Sequence, residues 1–269
     1  TSDKQSGVIG MNGMGSSITC MCSTEFSIDI TRDGKRYRQT FSDGALTISK
    51  PTIRKSSTAR GTTISFQLDG TVFEETSLPP ELMENRAIEI ALTNPGVSTE
   101  YNGKKYKFKN GFDDIIKKIS NSSYKFEGPT NKDHIEFYVI FDVYDGIDEQ
   151  VFSWVNSSLL FDGGICNTQF INAFCDKTID FLLPQSKKHK CVVTKNDIRR
   201  NLLVLGNLKL SDPQYDAQSK TRMTGPNLRK EMHTMIEDCW PSFARKNKCN
   251  NSDRCKNVRS LYSSFLFRQ

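Results

Sequence analysis

The sequence predicts an α+β fold, on three observations. Residues 25–31 and 35–42 flank Arg32-Asp33-Gly34, and residues 97–101 and 105–108 flank Asn102-Gly103. Asp-Gly and Asn-Gly supply the positive φ angles of the tight turns that join antiparallel strands. Residues 81–92 and 167–183 instead carry apolar side chains at roughly helical spacing, and no segment repeats.

In chain order, the glycine-rich run Gly10-Met11-Asn12-Gly13-Met14-Gly15-Ser16-Ser17 precedes a helix predicted over 17–22. The strand pair 25–31 and 35–42 follows, then a strand over 61–68 opened by Arg60-Gly61-Thr62-Thr63. Leu82, Ile88 and Leu92 mark a helix over 81–92 that Asn94-Pro95-Gly96 stops. After the second hairpin, Phe112, Ile115, Ile116 and Ile119 predict a short helix, and 134–144 and 150–160 read as strands joined around Asp145-Gly146. Phe170, Ile171, Phe174, Ile179, Phe181 and Leu182 give a long helix, 197–201 a short one and 202–210 a strand. These aromatic and Ile positions read as core.

The chain has 269 residues, room for one large or two ordinary domains, and contains no uncharged apolar run long enough to span a bilayer. Its eight cysteines are scattered, without a signal-like leader, and read as reduced cytosolic thiols. The opening without Met, directly into a polar loop, reads as a fragment of a longer chain. Net charge is +6, and residues 223–269 hold nine Lys or Arg against four Asp or Glu. A second basic cluster is Lys187-Lys188-His189-Lys190, followed by Lys195, Arg199 and Arg200. Both clusters fit a solvated surface or contact with a phosphate backbone.

Two motifs carry chemistry. Closely spaced glycines let backbone N–H groups approach phosphates without Cβ interference, and a helix N-terminus behind them favours an anion. In Gln218-Ser219-Lys220, an amide and an ammonium one residue apart can both reach one phosphate. Each motif alone is common. Their order is more telling: the glycine run, Gly61-Thr62, Gly163-Gly164 after an apolar strand, then Ser211-Asp212-Pro213-Gln214-Tyr215-Asp216-Ala217-Gln218-Ser219-Lys220.

That series resembles the ATPase subunit of type IIA DNA topoisomerases, over about residues 7–224. The resemblance implies the C-terminal part of a GHKL (Bergerat) ATPase sandwich over 1–110 and an S5-domain-2-like transducer domain over 111–222. Residues 223–269 would be a basic extension toward the cleavage core. It further implies that Gly10, Met11, Asn12, Gly13, Met14, Gly15 and Ser16 hold the phosphates of ATP and that Thr62 reaches the adenine side. Gln218 and Lys220, the catalytic candidates, would contact the γ-phosphate from the transducer. Lysine, a compact charge on a mobile stem, suits that role.

The implied partners are double-stranded DNA, a second copy of the chain and a cleavage subunit, with no membrane. Lys187, Lys188, Lys190, Arg199 and Arg200 would face the DNA in a cytoplasmic enzyme. The implied cofactors are ATP and Mg2+. The family's general base and magnesium ligand belong upstream of the glycine run, so this segment is expected not to hydrolyse ATP alone. Ile165-Cys166 stands where many relatives carry Thr-His, and Ser219 where they carry Thr. Other readings are a non-catalytic DNA-binding protein on this scaffold and a MutL-like repair ATPase; the 211–220 run argues against the latter. His233, Cys239, Cys249 and Cys255 could suit zinc but lack a CxxC knuckle. Free thiols are the better reading there, and no metal site is expected.

Overall fold

The computed structural model describes residues 10, 13–120, 123–129, 133–141, 149–190, 192–200 and 202–246. The chain divides into two units, Gly10–Arg86 and the residues from Ala87 onward.

In the first unit, helix α1 (Met14–Met21) leads into β1 (Ser23–Arg32), β2 (Lys35–Ser42), β3 (Thr47–Ile48), β4 (Thr52–Lys55) and β5 (Gly61–Leu68). The sheet runs β3-β2-β1-β5, with β4 also on β2. Asp33 and Gly34 take φ of 52° and 70°, which closes the predicted β1–β2 hairpin. Strand alternation puts Phe26, Ile28 and Ile30 on one face, opposite Phe66, Ile64 and Thr62 of β5. The other face carries Asp29, which accepts from Arg36 and Arg38. Those hydrogen bonds, Arg36 first, hold its carboxyl down at about 2. Helix α1 begins three residues before the predicted start, since Gly13, at φ 66°, turns the chain directly into it.

Helix α2 (Pro80–Thr93) crosses from one unit into the other. The second unit continues with the hairpin β6 (Ser98–Tyr101) and β7 (Lys104–Lys107), α3 (Asp113–Ile119), β8 (Ser123–Pro129), β9 (His134–Phe141), β10 (Gln150–Val155) and β11 (Ser158–Leu159). It ends with α4 (Ile165–His189), α5 (Lys195–Arg199), β12 (Leu202–Lys209), β13 (Gln214–Tyr215), β14 (Met223–Gly225) and α6 (Arg229–Lys246). The five-stranded sheet is ordered β11-β10-β12-β9-β8.

The order of this sheet differs from the sequence reading. Strands β9 and β10 are not neighbours: β12 lies between them, antiparallel to β9 and parallel to β10. Parallel pairing needs a long crossover, here α4 and α5, and local turn signals carry no trace of it. Strand β8 was not foreseen; it completes the sheet beside β9.

The main core lies where Phe126 and Phe137 of the sheet meet Phe170 and Phe174 of α4 and Trp240 and Phe243 of α6. Phe170 stacks on Phe137 with centroids 4.0 Å apart. Burial of rings of this size dominates such an interface. A second cluster gathers Leu92, Phe112, Ile116, Tyr138 and Trp154. The contact division therefore falls within α2 and not near residue 110, because Leu92 at the end of that helix is core to the second unit. Residues 229–246 belong to that core too, since α6 packs on α4 and β8 and does not stand apart as an extension.

Candidate functional site

The loop carrying Gln218 and Lys220 spans the antiparallel pair β13–β14. Its root is fixed by the glycine pair that precedes α4. Asp162 donates its N–H to the Thr221 carbonyl at 3.0 Å, and Met223 donates to the Gly163 carbonyl at 3.2 Å. Gly164 and Met223 form a parallel bridge. The landmarks Gly163-Gly164 and Gln218-Ser219-Lys220, far apart in sequence, are thus neighbours. Gly225, on the other side of the root, packs so closely on Gln214 that a Cβ there would stand 2.5 Å from Gln214 Oε1.

Within the loop, Gln218 and Ser219 are exposed and Lys220 is half-buried. Lys220 takes the left-handed conformation, φ 59°, and its N–H closes a turn onto the Ala217 carbonyl at 3.1 Å. Its Nζ lies 6.0 Å from the centre of the Tyr215 ring, at the outer reach of a cation–π contact. Burial pushes the Tyr215 hydroxyl up to about 12, so the ring faces the lysine as a neutral phenol. Cys166, at the position where the sequence departs from Thr-His, is fully buried, and burial pushes its thiol up to about 12. It is a packing group.

Of the predicted phosphate cradle, Met11 and Asn12 lie outside the described residues. Gly10, Met14, Gly15 and Ser16 are exposed, and a Cβ at Gly10, Gly13 or Gly15 would meet nothing within 4 Å. Helix α1 has no side-chain cap, so its first backbone N–H groups keep their capacity to bind an anion. Thr62 is exposed on β5, beside Ile30. The cradle and Thr62 belong to the first unit, the 216–222 loop to the second.

Lys187 and Lys188 are exposed in the last turn of α4, and Lys190, also exposed, ends that helix at φ 54°. Arg200 is exposed after α5. Arg199 is differently placed: its Nη2 donates to Glu149 Oε1 at 3.0 Å and its Nε to Oε2, a two-pronged ion pair. Lys195 pairs with Asp176 at 2.6 Å. Of the zinc candidates, Cys249 and Cys255 lie outside the described residues, while Cys239 Sγ sits 3.6 Å from the Glu127 carbonyl.

Sequence reasoning missed a polar network on the sheet. Lys209, the last residue of β12, donates to Asn94 Oδ1 at 2.8 Å and to Ser157 Oγ at 3.0 Å. Burial lowers its pKa to about 8. Two residues earlier, Asn207 Nδ2 donates to Glu136 Oε1 at 2.8 Å. Burial alone would raise Glu136, but hydrogen bonds from His134, Lys125 and Asn207 outweigh it and hold the carboxyl at about 2. Lys125 Nζ lies 2.8 Å from Glu127 and 2.9 Å from Glu136. Glu127, His134 and Glu136 could together ligate a metal, but this ammonium already supplies the cation between the carboxylates. His134 Nε2 is 3.3 Å from Glu127 and 3.8 Å from Glu136. Glu136 raises the His134 pKa more despite the longer distance, because its side chain is far less exposed and less screened. The only sequence signal was charged residues alternating through two strands, which reads equally as surface.

A fold of this kind has close counterparts. The ATPase and transducer domains of DNA topoisomerase II from Balamuthia mandrillaris superpose with a TM-score of 0.74 at 21% identity, covering 100% of this chain and 68% of that one. The ATPase region of Saccharomyces cerevisiae topoisomerase II gives 0.69 at 19%, covering 97% and 67%. The α+β fold is therefore that of the ATPase and transducer regions of type II topoisomerases.

A sequence model of the DNA gyrase B family matches residues 99–264, and the chain belongs to that family. It is 26% identical over 256 residues to the B-type subunit of the type 2 topoisomerase of Aquifex aeolicus, covering 89% of this chain and 32% of that protein. It is 29% identical over 237 residues to the B-type subunit of DNA topoisomerase 4 of Borreliella burgdorferi, covering 86% and 38%. The chain thus spans about a third of the length of these relatives.

Proposed function

We propose that this chain is the ATP-binding and transducer part of a type IIA DNA topoisomerase, an ATP-operated clamp that captures a duplex and couples hydrolysis to strand passage. By function, residues 1–110 are the end of the nucleotide-binding domain, although those from Ala87 pack with the second unit, and 111–222 are the transducer; 223–269, with α6 packed on the transducer core, lead toward the cleavage subunit or domain. Gly10, Met11, Asn12, Gly13, Met14, Gly15 and Ser16 hold the phosphates and Thr62 the adenine side. Mg2+ is held by residues of the nucleotide-binding domain outside this segment. The enzyme works in the cytoplasm as a dimer of this subunit.

The observation that carries this reading is the seating of Gly163 and Gly164 against Thr221 and Met223. It gives the exposed Gln218 and the half-buried Lys220 a loop with a fixed root. A side-chain ammonium that binds the γ-phosphate only while it is present supplies a differential contact between two states, which is what a ligand needs to drive a motion. Lys187, Lys188, Lys190 and Arg200 contact the captured DNA; Arg199 joins them by releasing Glu149.

The test is binding of a non-hydrolysable ATP analogue to the full-length protein. Lys220→Ala should weaken it about tenfold or more, the loss of one charge-assisted phosphate contact, while leaving the melting temperature in the absence of nucleotide unchanged. Equal affinity in the two proteins would refute the role of Lys220. Duplex binding without any analogue binding would favour the non-catalytic DNA-binding reading.

A further inference from the structure

The hairpin β6–β7 presents a row of charge that neither the nucleotide loop nor the α4 lysines account for. Lys105 and Lys107 occupy alternate positions on β7 and so share one face, about 7 Å apart. Lys109 is exposed just past the end of the strand. Tyr106 takes the opposite face, and Phe108 beyond it packs against the Phe112 and Trp154 cluster. The cross-strand neighbours on the lysine face are Glu100, opposite Lys105, and Ser98, opposite Lys107. The Lys105–Glu100 pair is loose, 3.7 Å with the lysine side chain 74% exposed, and contributes little.

The hairpin is a fixed platform. Asn102 and Gly103, at φ 47° and 80°, close its turn. Thr99 Oγ1 donates to the Ala87 carbonyl of α2 at 2.7 Å, and Gly96 donates its N–H to the Phe108 carbonyl at 2.9 Å. Like charges along one strand face repel each other, and a two-stranded hairpin has little stability of its own to offset that. The repulsion becomes attraction when a polyanion lies along the row.

We propose that the Lys105, Lys107 and Lys109 face of β6–β7 binds the phosphate backbone of duplex DNA. The face offers Ser98 and Glu100 beside the lysines, with no aromatic ring on which an unpaired base could stack and no apolar residue to enter a lipid surface. It therefore reads charge at regular spacing. The proposal adds a second contact surface to the DNA contact proposed above and does not depend on nucleotide.

The test is fluorescence anisotropy of a labelled duplex with the full-length protein, without nucleotide, over a range of salt. The triple variant Lys105→Gln, Lys107→Gln, Lys109→Gln should reduce the slope of log affinity against log salt by about 2 to 3, since each phosphate contact contributes about 0.9. Affinity near 0.1 M salt should fall about tenfold or more, with the melting temperature equal to or above that of the wild type. The single variant Lys107→Gln should lower the slope by about 1 and serves as the check if the triple variant folds poorly. A slope unchanged in both variants overturns the proposal. So does an equal loss for single-stranded DNA, or a loss confined to phosphatidylserine vesicles. Analogue binding measured on the same samples reports on the clamp separately, and its failure leaves the salt slope readable.

Discussion

Gly164 touches the backbone of Met223 so closely that a Cβ at position 164 would stand 2.5 Å from the Met223 carbonyl oxygen and 2.7 Å from its nitrogen. Gly164 also sits at φ 147°, a conformation L side chains rarely adopt. Two independent reasons therefore require glycine at the root of the 216–222 loop.

Gly164→Ala should destabilise the protein by about 2–5 kcal/mol, combining backbone strain with overpacking against atoms that cannot rotate away. Gly163→Ala is the contrast: its Cβ would meet only Asn167 Nδ2, at 3.3 Å, and its φ of 65° is ordinary left-handed backbone. That change should cost about 1–2 kcal/mol. Thermal unfolding gives both values. Limited proteolysis should cut the 216–222 loop faster in Gly164→Ala than in Gly163→Ala at matched temperature below unfolding; equal cutting would mean that Gly164 does not secure the loop.

Lys209 makes stability depend on alkaline pH. Its folded pKa is about 8 against a usual 10.5, so between those values the unfolded chain binds more protons and stability rises with pH. Below about pH 8 both states carry the charge and the fold bears its desolvation. Denaturant titrations from pH 7.5 to 10.5 should show this rise in the wild type and a flatter profile in Lys209→Met. Parallel profiles would show that Lys209 is not the group responsible.

His134 acts in the opposite sense. Its pKa is raised from 6.5 by Glu136 and Glu127, so its contribution is complete below about pH 6.5 and disappears as pH rises through the elevated value. Subtracting the His134→Gln melting curve from that of the wild type between pH 5 and 9 should leave a difference that shrinks toward high pH. With the imidazole 43% exposed, solvent screening keeps the effect small, and a difference that grows with pH would contradict the assignment.

Much of the fold could be read locally, and the reasons are specific. Asp33-Gly34 and Asn102-Gly103 announced their hairpins because positive φ leaves a residue signature, and α4 showed because Phe170, Ile171, Phe174, Ile179, Phe181 and Leu182 recur at near-helical spacing. Strand β8 escaped because Tyr124 and Phe126 offer only two apolar positions before Gly128-Pro129. The place of β12 between β9 and β10 follows from a crossover and has no local trace. In the site, Gly163-Gly164 stood out as a landmark, but its reason, the approach of Met223, is a tertiary fact. Lys209 looked like any strand-end lysine until Asn94 and Ser157 arrived from distant segments. Arg199 looked available until Glu149 claimed it.

The stacked pair Phe137–Phe170 tests whether α4 is held by its aromatic stripe. Both rings are fully buried, Phe126 and Phe174 lie against Phe170 at 5.9 and 6.2 Å between centroids, and the stripe continues to Trp240 and Phe243 of α6. Removing the Phe170 ring takes away contacts to the sheet and to its own helix at once, in an interior that cannot collapse around the space. Phe170→Ala should therefore cost about 3–5 kcal/mol, and Phe170→Leu, which refills much of the volume, markedly less. Because Gly164 caps α4, the loss should also reach the root of the 216–222 loop, and hydrogen exchange at the Asp162 and Met223 amides should quicken in Phe170→Ala. If the stability falls as expected while those amides keep their wild-type protection, the loop root is independent of the core, and Gly164 alone secures it.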